Sequence, residues 1–474
     1  MKKFLIVIVT VAGLGAGSIQ VLSGETPAQS SIQNATPAVA DNKFSARAND
    51  SIDLRQLTRL DPAAATQTWL DSVPQDKREK SDAYFEGGYW LLLWNYLVAA
   101  AISILMLSSR ISARLRDFSE SVCRGSRWLP KGSCQLPLQI GLYAIPYLLL
   151  VYVLSFPLNV YEHFFREHEY GFATQNFLAW FQEQLIGLGI TLLGGTIFFI
   201  VLYAVFRRAP KTWWIWGTAV AVVFFVFLLF IAPVFIEPLF NSYKPLTKPE
   251  VSEPILAMAR ANQIPVKQVF EVDASRQTTR VSANVSGILG TTRIALNDNL
   301  LKQCSVPEIR AVMAHEMGHY VLNHGAKLLS YLGIFTLIVF ALTRILFDGA
   351  VRRWGNKWGV RGIADPAGLP LLALILSTLL FLATPLVNTV VRVTEREADA
   401  FGINTAREPD GMAEVALKLG AYRKLNPTPI EEFIFYDHPS GRARIRMAMD
   451  WKAANLSAGE SPKSESQNPK RTGE

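Results

Sequence analysis

Residues 213–236 read WWIWGTAVAVVFFVFLLFIAPVFI, an apolar run without a single Asp, Glu, Lys or Arg. A helix crossing a hydrocarbon core of about 30 Å needs about 20 such residues, and this run is long enough. Residues 88–108, 137–157, 184–206, 328–343 and 369–391 are equally free of formal charge. The run starting at Leu328 is the shortest, and residues 325–327 extend it by about a turn. Six such runs are far more than the buried helices of a soluble core would supply. The expected fold is therefore mainly α, a polytopic transmembrane helix bundle of six spans with a small α+β domain at one membrane face. The 474-residue chain is 50% hydrophobic, which fits that class.

At the N-terminus, Lys2 and Lys3 precede a short, glycine-containing apolar stretch at residues 4–15 and then small residues. Residues 1–23 read as a signal peptide or an N-terminal anchor helix. Residues 24–86 are a flexible polar extramembrane segment, with a helix expected from about Leu54 to Leu70. Four spans then occupy 87–240, the α+β domain 241–326, a transmembrane hairpin 327–391, the C-terminal part of that domain 392–455, and a disordered tail 456–474. The formal charge of +8 resides largely in short loops between spans, so it sets orientation and implies no nucleic-acid partner. Cys123, Cys134 and Cys304 form no metal or redox spacing.

The chemistry lies in the two polar blocks. Residues 266–272 and 293–296 have strand composition, with an irregular strand or loop at 282–290. Ser305-Val306-Pro307-Glu308 is a capping box with Pro in the first turn, which starts a helix running through His319. On that helix, His315-Glu316-Met317-Gly318-His319 places two imidazoles on one face by their i, i+4 spacing. They can hold one Zn²⁺ at about 2.0–2.1 Å, with Glu316 beside the open coordination position to take a proton from water. The competing reading is two surface histidines on a solvated helix.

A catalytic zinc site takes three protein ligands. Thr394-Glu395-Arg396-Glu397-Ala398-Asp399 follows the last span, and two crossings separate it from His319, so it returns to the same membrane face. Glu395 and Glu397 point about 200° apart around a helix. Asp399 lies i+4 from Glu395, on its face, and can accept a hydrogen bond from a ligating imidazole, which favours Glu395 over Glu397. The plainer alternative is a charged, solvated helix end. Of the six histidines, His324 reads as structural, His163 and His168 as loop residues, and His438 as a donor to the oxyanion of a tetrahedral intermediate.

With these residues in view, the chain resembles the type I CAAX prenyl protease family, membrane gluzincin peptidases related to the HtpX-like heat-shock proteases. The likeness runs over about residues 85–448. It rests on HEMGH at 315–319 with His324 following, EREADAFG at 395–402, EHEYGF at 167–172 and PVFIEPLF at 233–240. The resemblance implies Glu395 as third zinc ligand and Asp399 as an auxiliary acid and proton donor. It also implies that Asn284 lies on the strand that pairs with substrate backbone, that His438 and Arg444 face the reaction centre, and that the helices surround an intramembrane chamber. Peptide or membrane-protein substrates meeting the enzyme in the lipid bilayer are the partners expected.

Loop charge adds a sidedness. The loops at 109–136, 207–211 and 352–361 are basic and fall on one face, whereas the loop at 161–183 on the other is acidic. By the positive-inside rule the basic face is cytoplasmic, which places the catalytic domain outside, and in a bacterial inner membrane that side is periplasmic. The eukaryotic members of the family face the cytosol, so the rule and the resemblance part here. A catalytically silent transporter or assembly factor is the alternative function; transporters place ionisable residues inside their spans, and these six runs carry none.

Overall fold

The computed structural model describes residues 61–125, 135–286 and 292–455. The signal or anchor segment at 1–23, residues 24–60 and the tail at 456–474 lie outside the described residues. Helix α1 (Pro62–Asp71) opens with Asp61 accepting the Ala63 N–H at 2.8 Å, a side-chain N-cap followed by Pro. The expected flexible segment gives way here to ordered helix, because Ala65 and Leu70 bury against Ile445, Ala448 and Met449 of the C-terminal helix. The described part of 24–86 is thus tertiary structure, and the first span already begins at Gln75.

Among the described residues five helices are long and apolar enough to cross a membrane: α2 (Gln75–Ser108), α4 (Leu136–Glu169), α5 (Phe177–Arg208), α6 (Trp213–Leu239) and α10 (His324–Trp358). Helix α3 (Ile111–Gly125) caps the bundle between α2 and α4. The sixth expected span is a bent pair, α11 (Pro366–Leu382) and α12 (Thr384–Ala406), which meet at 55°. Pro385 in the first turn of α12 has no N–H to continue the ladder of α11, so the run at 369–391 breaks at Ala383 where one straight helix was expected. Helix α4 ends through a wide turn at Tyr161–Phe165, which puts His163 and His168 on helix and not in a loop. Tyr143, Tyr147, Phe199, Tyr203, Phe206, Trp213 and Phe347 fill the core between the spans. At the face where the basic loops gather, Arg116 pairs with Asp365 at 2.6 Å.

The remaining segments build a body at the opposite face: β1 (Tyr243–Pro245), α7 (Pro249–Ala261), β2 (Val269–Val272), β3 (Ala283–Ser286), β4 (Arg293–Asn297), α8 (Asp298–Gln303) and α9 (Val306–Val321). The sheet order is β1-β2-β4-β3, with β2 parallel to β4 and both outer strands antiparallel to their neighbours. Buried Ile294 and Leu296 of β4 pack in one core with Ile309 and Met313 of α9. Strand β3 pairs only with β4 among the described strands, so it is an edge, with Asn284 opposite Ala295. Helices α13 (Pro409–Leu419), α14 (Pro429–Phe435) and α15 (Gly441–Asn455) close the body from the C-terminal side. The α4–α5 loop fastens it to the bundle through Thr174 N–H to the Gln277 carbonyl at 3.1 Å and Thr278 Oγ1 to the Phe172 carbonyl at 2.8 Å.

Candidate metal centre

The capping box forms as expected, with Glu308 accepting the Ser305 N–H at 2.6 Å, and so fixes where α9 starts and which way His315 and His319 point. Helix α12 then crosses α9 at close range because two glycines face it and are faced by it. A Cβ on Gly318 would meet Ala398 backbone atoms at 3.2–3.3 Å, and one on Gly402 would meet His315 backbone at 3.0 Å. This contact brings the carboxylate of Glu395 onto the two imidazoles.

The three donor groups converge. His315 Nε2 and His319 Nε2 are 3.1 Å apart, His315 Nε2 lies 3.3 Å from Glu395 Oε2, and His319 Nε2 lies 3.5 Å from Glu395 Oε1. Ligands at about 2.0–2.1 Å from one tetrahedral centre would be about 3.3–3.4 Å from each other, so the set has the dimensions of a Zn²⁺ site. Among the described residues it is the only His/Cys/Asp/Glu group of this kind.

The hydrogen bonds behind the imidazoles fix their tautomers. His315 Nδ1–H donates to Asp399 Oδ1 at 2.8 Å, which leaves Nε2 as the ring atom turned toward the centre. His324 Nε2–H donates to Glu397 Oε2 at 3.0 Å, so neutral His324 accepts at Nδ1 from His319 Nδ1–H, 2.9 Å away. His319 is thereby held in the same tautomer, and both Nε2 atoms turn to the buried Glu395 carboxylate, whose Oε2 lies 3.3 Å from His315 Nε2. A cation relieves that arrangement. Burial opposes protonation of His315, but Asp399 and Glu395 outweigh it and lift the imidazole to about 10. A proton held that firmly marks a site of strong negative potential, where a divalent cation would compete for the same lone pairs.

Glu316 lines the small apolar cavity beside these ligands together with Asp399, His438 and Arg444. Arg444 Nε donates to Asp399 Oδ2 at 2.8 Å, and its Nη2 is 3.5 Å from Glu395 Oε2. His438 Nε2 stands 3.1 Å from Glu395 Oε2, with Asp437 2.9 Å from its Nδ1. Burial and then Arg423 push the His438 imidazole below its ordinary range, so it is neutral near pH 7. Of the residues singled out in the sequence, seven thus meet at one place. Asn284 does not join them directly: it faces a separate cavity of about 240 Å³ on the other side of β3, which also takes in Glu162, His163 and Trp180. Glu397 is turned away, paired to His324 and to Lys327 at 2.8 Å.

Two family models match the chain, Peptidase family M48 over residues 245–452 and CAAX prenyl protease N-terminal, five membrane helices, over residues 55–242. The chain belongs to the M48 family of membrane metallopeptidases. An uncharacterized metalloprotease of Bacillus subtilis is 33% identical over 282 residues, 59% of this chain and 66% of that protein. CAAX prenyl protease 1 homolog of Arabidopsis thaliana is 28% identical, covering 83% of this chain and 92% of its own length. CAAX prenyl protease 1 of Saccharomyces cerevisiae is 27% identical, with 63% and 69% covered. The crystal structure of S. mikatae Ste24p shares the fold, with a TM-score of 0.66 at 20% identity over 84% of this chain and 99% of that one. The chain is accordingly an integral-membrane metallopeptidase acting on peptide substrates, the family implies a metal, and nothing favours the transporter or assembly-factor alternative.

Proposed function

We propose that this M48 peptidase is a zinc endopeptidase, with one Zn²⁺ held by His315, His319 and Glu395 and with Glu316 as general base. The observation that carries the reading is the 3.1–3.5 Å triangle of donor atoms with both Nε2 atoms turned inward. When bound, zinc supplies Lewis acidity, bringing the pKa of water to about 7 and polarising a carbonyl. The rest is done by the chain. Glu316, next to His315 on α9, takes the proton of the attacking water and delivers it to the leaving amine. Asp399 and the His324–Glu397 pair keep the ligating imidazoles oriented. His438 and Arg444 flank Glu395 on the side where an oxyanion would develop, and His438 Nε2–H can donate a hydrogen bond there in the tautomer whose Nδ1 accepts from Arg423, 3.3 Å away. The open edge of β3, with Asn284, is where an extended substrate would add a strand.

Peptides or membrane-protein segments presented at the bilayer surface are the substrate class. Relatives named CAAX prenyl proteases favour a narrower one, prenylated peptides. Loop charge favours a catalytic body outside the cytoplasm, on the periplasmic side if the membrane is a bacterial inner membrane; reporter fusions after Asn241 and at the C-terminus distinguish the two orientations. The function is tested with purified protein and paired fluorogenic peptides, one prenylated and one not. Cleavage abolished by chelator, restored by Zn²⁺ and lowered by at least about 100-fold in Glu316→Gln is expected. Cleavage by Glu316→Gln at the wild-type rate would overturn the assignment.

A further inference from the structure

Helices α5 and α6 touch through Phe198 and Phe224, whose ring centroids are 5.0 Å apart, and leave a lipid-facing groove of about 630 Å³ along their seam. Its walls run from Ile197 to Arg208 on α5 and from Trp216 to Phe227 on α6, with Ala204 and Ala219 among the lining residues. At 1.5 Å per residue each wall is about 17 Å long, close to half of a hydrocarbon core of about 30 Å. The groove therefore has the length of one leaflet. It belongs to the leaflet opposite the catalytic body, since α5 begins beside that body and ends at Arg208, so a substrate's lipid anchor at the metal centre would not reach it.

The end of the groove is chemically distinct from its length. Arg208 is exposed and has no ion-pair or hydrogen-bond partner among the described residues, whereas its neighbour Arg207 donates to Gln139 Oε1 at 3.0 Å. Lys211 is exposed in the turn that follows, and Trp216, 58% exposed, stands at the same end. Unpaired cations with a tryptophan at headgroup depth, over an apolar channel one leaflet long, match a lipid phosphate above an acyl chain.

We propose that the α5–α6 groove is a binding site for an anionic phospholipid, one acyl chain lying between the helices and the phosphate on Arg208 and Lys211. The full-length protein, purified in detergent and exposed to phosphatidylglycerol or phosphatidylcholine with identical acyl chains, is examined by native mass spectrometry. Retention of a single phosphatidylglycerol is expected, preferred by about fivefold for each contributing cation. Arg208→Gln should cut that preference by about fivefold, and Ala204→Trp, which fills the channel, should abolish retention of both lipids. Gel filtration confirms that each variant remains monodisperse. Equal retention of the two lipids by the wild type, or an unchanged preference in Arg208→Gln, would overturn the proposal. So would a dimer that Ala204→Trp dissociates, which would make the groove an interface between two copies.

Discussion

Two buried Arg–Asp pairs stand at opposite faces of the membrane, and they differ in what surrounds them. Arg116 and Asp365 are 2.6 Å apart, and Asp365 also accepts the N–H groups of Arg361 at 2.9 Å and Ala367 at 3.1 Å, while Arg116 donates to the Gly359 carbonyl at 3.0 Å. That cluster is saturated by its own chain. Arg444 and Asp399 are 2.8 Å apart, but beside them the buried Glu395 Oε2 and Arg444 Nη2 make no hydrogen bond among the described residues and meet only as a loose ion pair at 3.5 Å. A saturated network fastens structure, whereas one with orphaned polar atoms is completed by something that binds. The same residue types are a latch at one face and part of the proposed metal centre at the other.

The sharpest separation comes from Glu316→Gln. Loss of general-base action should lower turnover by about 10²–10⁴-fold with metal content unchanged, measured by peptide cleavage and elemental analysis on one preparation. Next, Arg116→Ala leaves Asp365 buried without its cation, which should destabilise the protein by about 3–5 kcal/mol in detergent-based denaturation while leaving metal affinity alone. If Arg116→Ala instead released the metal at full stability, the two clusters would not be independent. A smaller effect is expected at the supports of the imidazoles: Asp399→Asn and His324→Ala should each weaken Zn²⁺ affinity by about 10–100-fold in chelator competition. His324→Gln can still accept from His319 and donate to Glu397, so it should recover most of that loss. An equal loss in His324→Gln and His324→Ala would make His324 a packing residue only.

Much of this centre could be read from the chain. The i, i+4 spacings of His315 with His319 and of Glu395 with Asp399 are local, and helix geometry alone puts each pair on one face. Glu395 was distinguishable from Glu397 for the same reason. His324 was not legible as the support of His319, because it acts across a turn through Asn323, which adopts a left-handed backbone at φ 53°. Its partner Glu397 comes from another span altogether. The bend at Ala383 was signalled by Pro385, yet composition alone does not say whether a proline breaks a helix; Pro146 and Pro157 lie inside helical α4 without ending it. The helix expected at about 54–70 overlaps α1 at Pro62–Asp71, but that it is packed and not part of a flexible segment was hidden, because α1 gains its burial from α15, a contact between opposite ends of the chain. Asn284, in a segment legible only as an irregular strand or loop, stands on β3, and which cavity it faces depends on register, since a one-residue slip would reverse it.

Metal content in Glu395→Ala compared with Glu397→Ala tests the centre most directly, because the two acids differ by two positions and the structure gives them opposite tasks. Purified wild-type protein should carry about one zinc per chain, Glu395→Ala should carry essentially none, and Glu397→Ala should keep it with weakened affinity. Zinc retained in Glu395→Ala and lost from Glu397→Ala, or absent from the wild type, would contradict a metal held between α9 and α12.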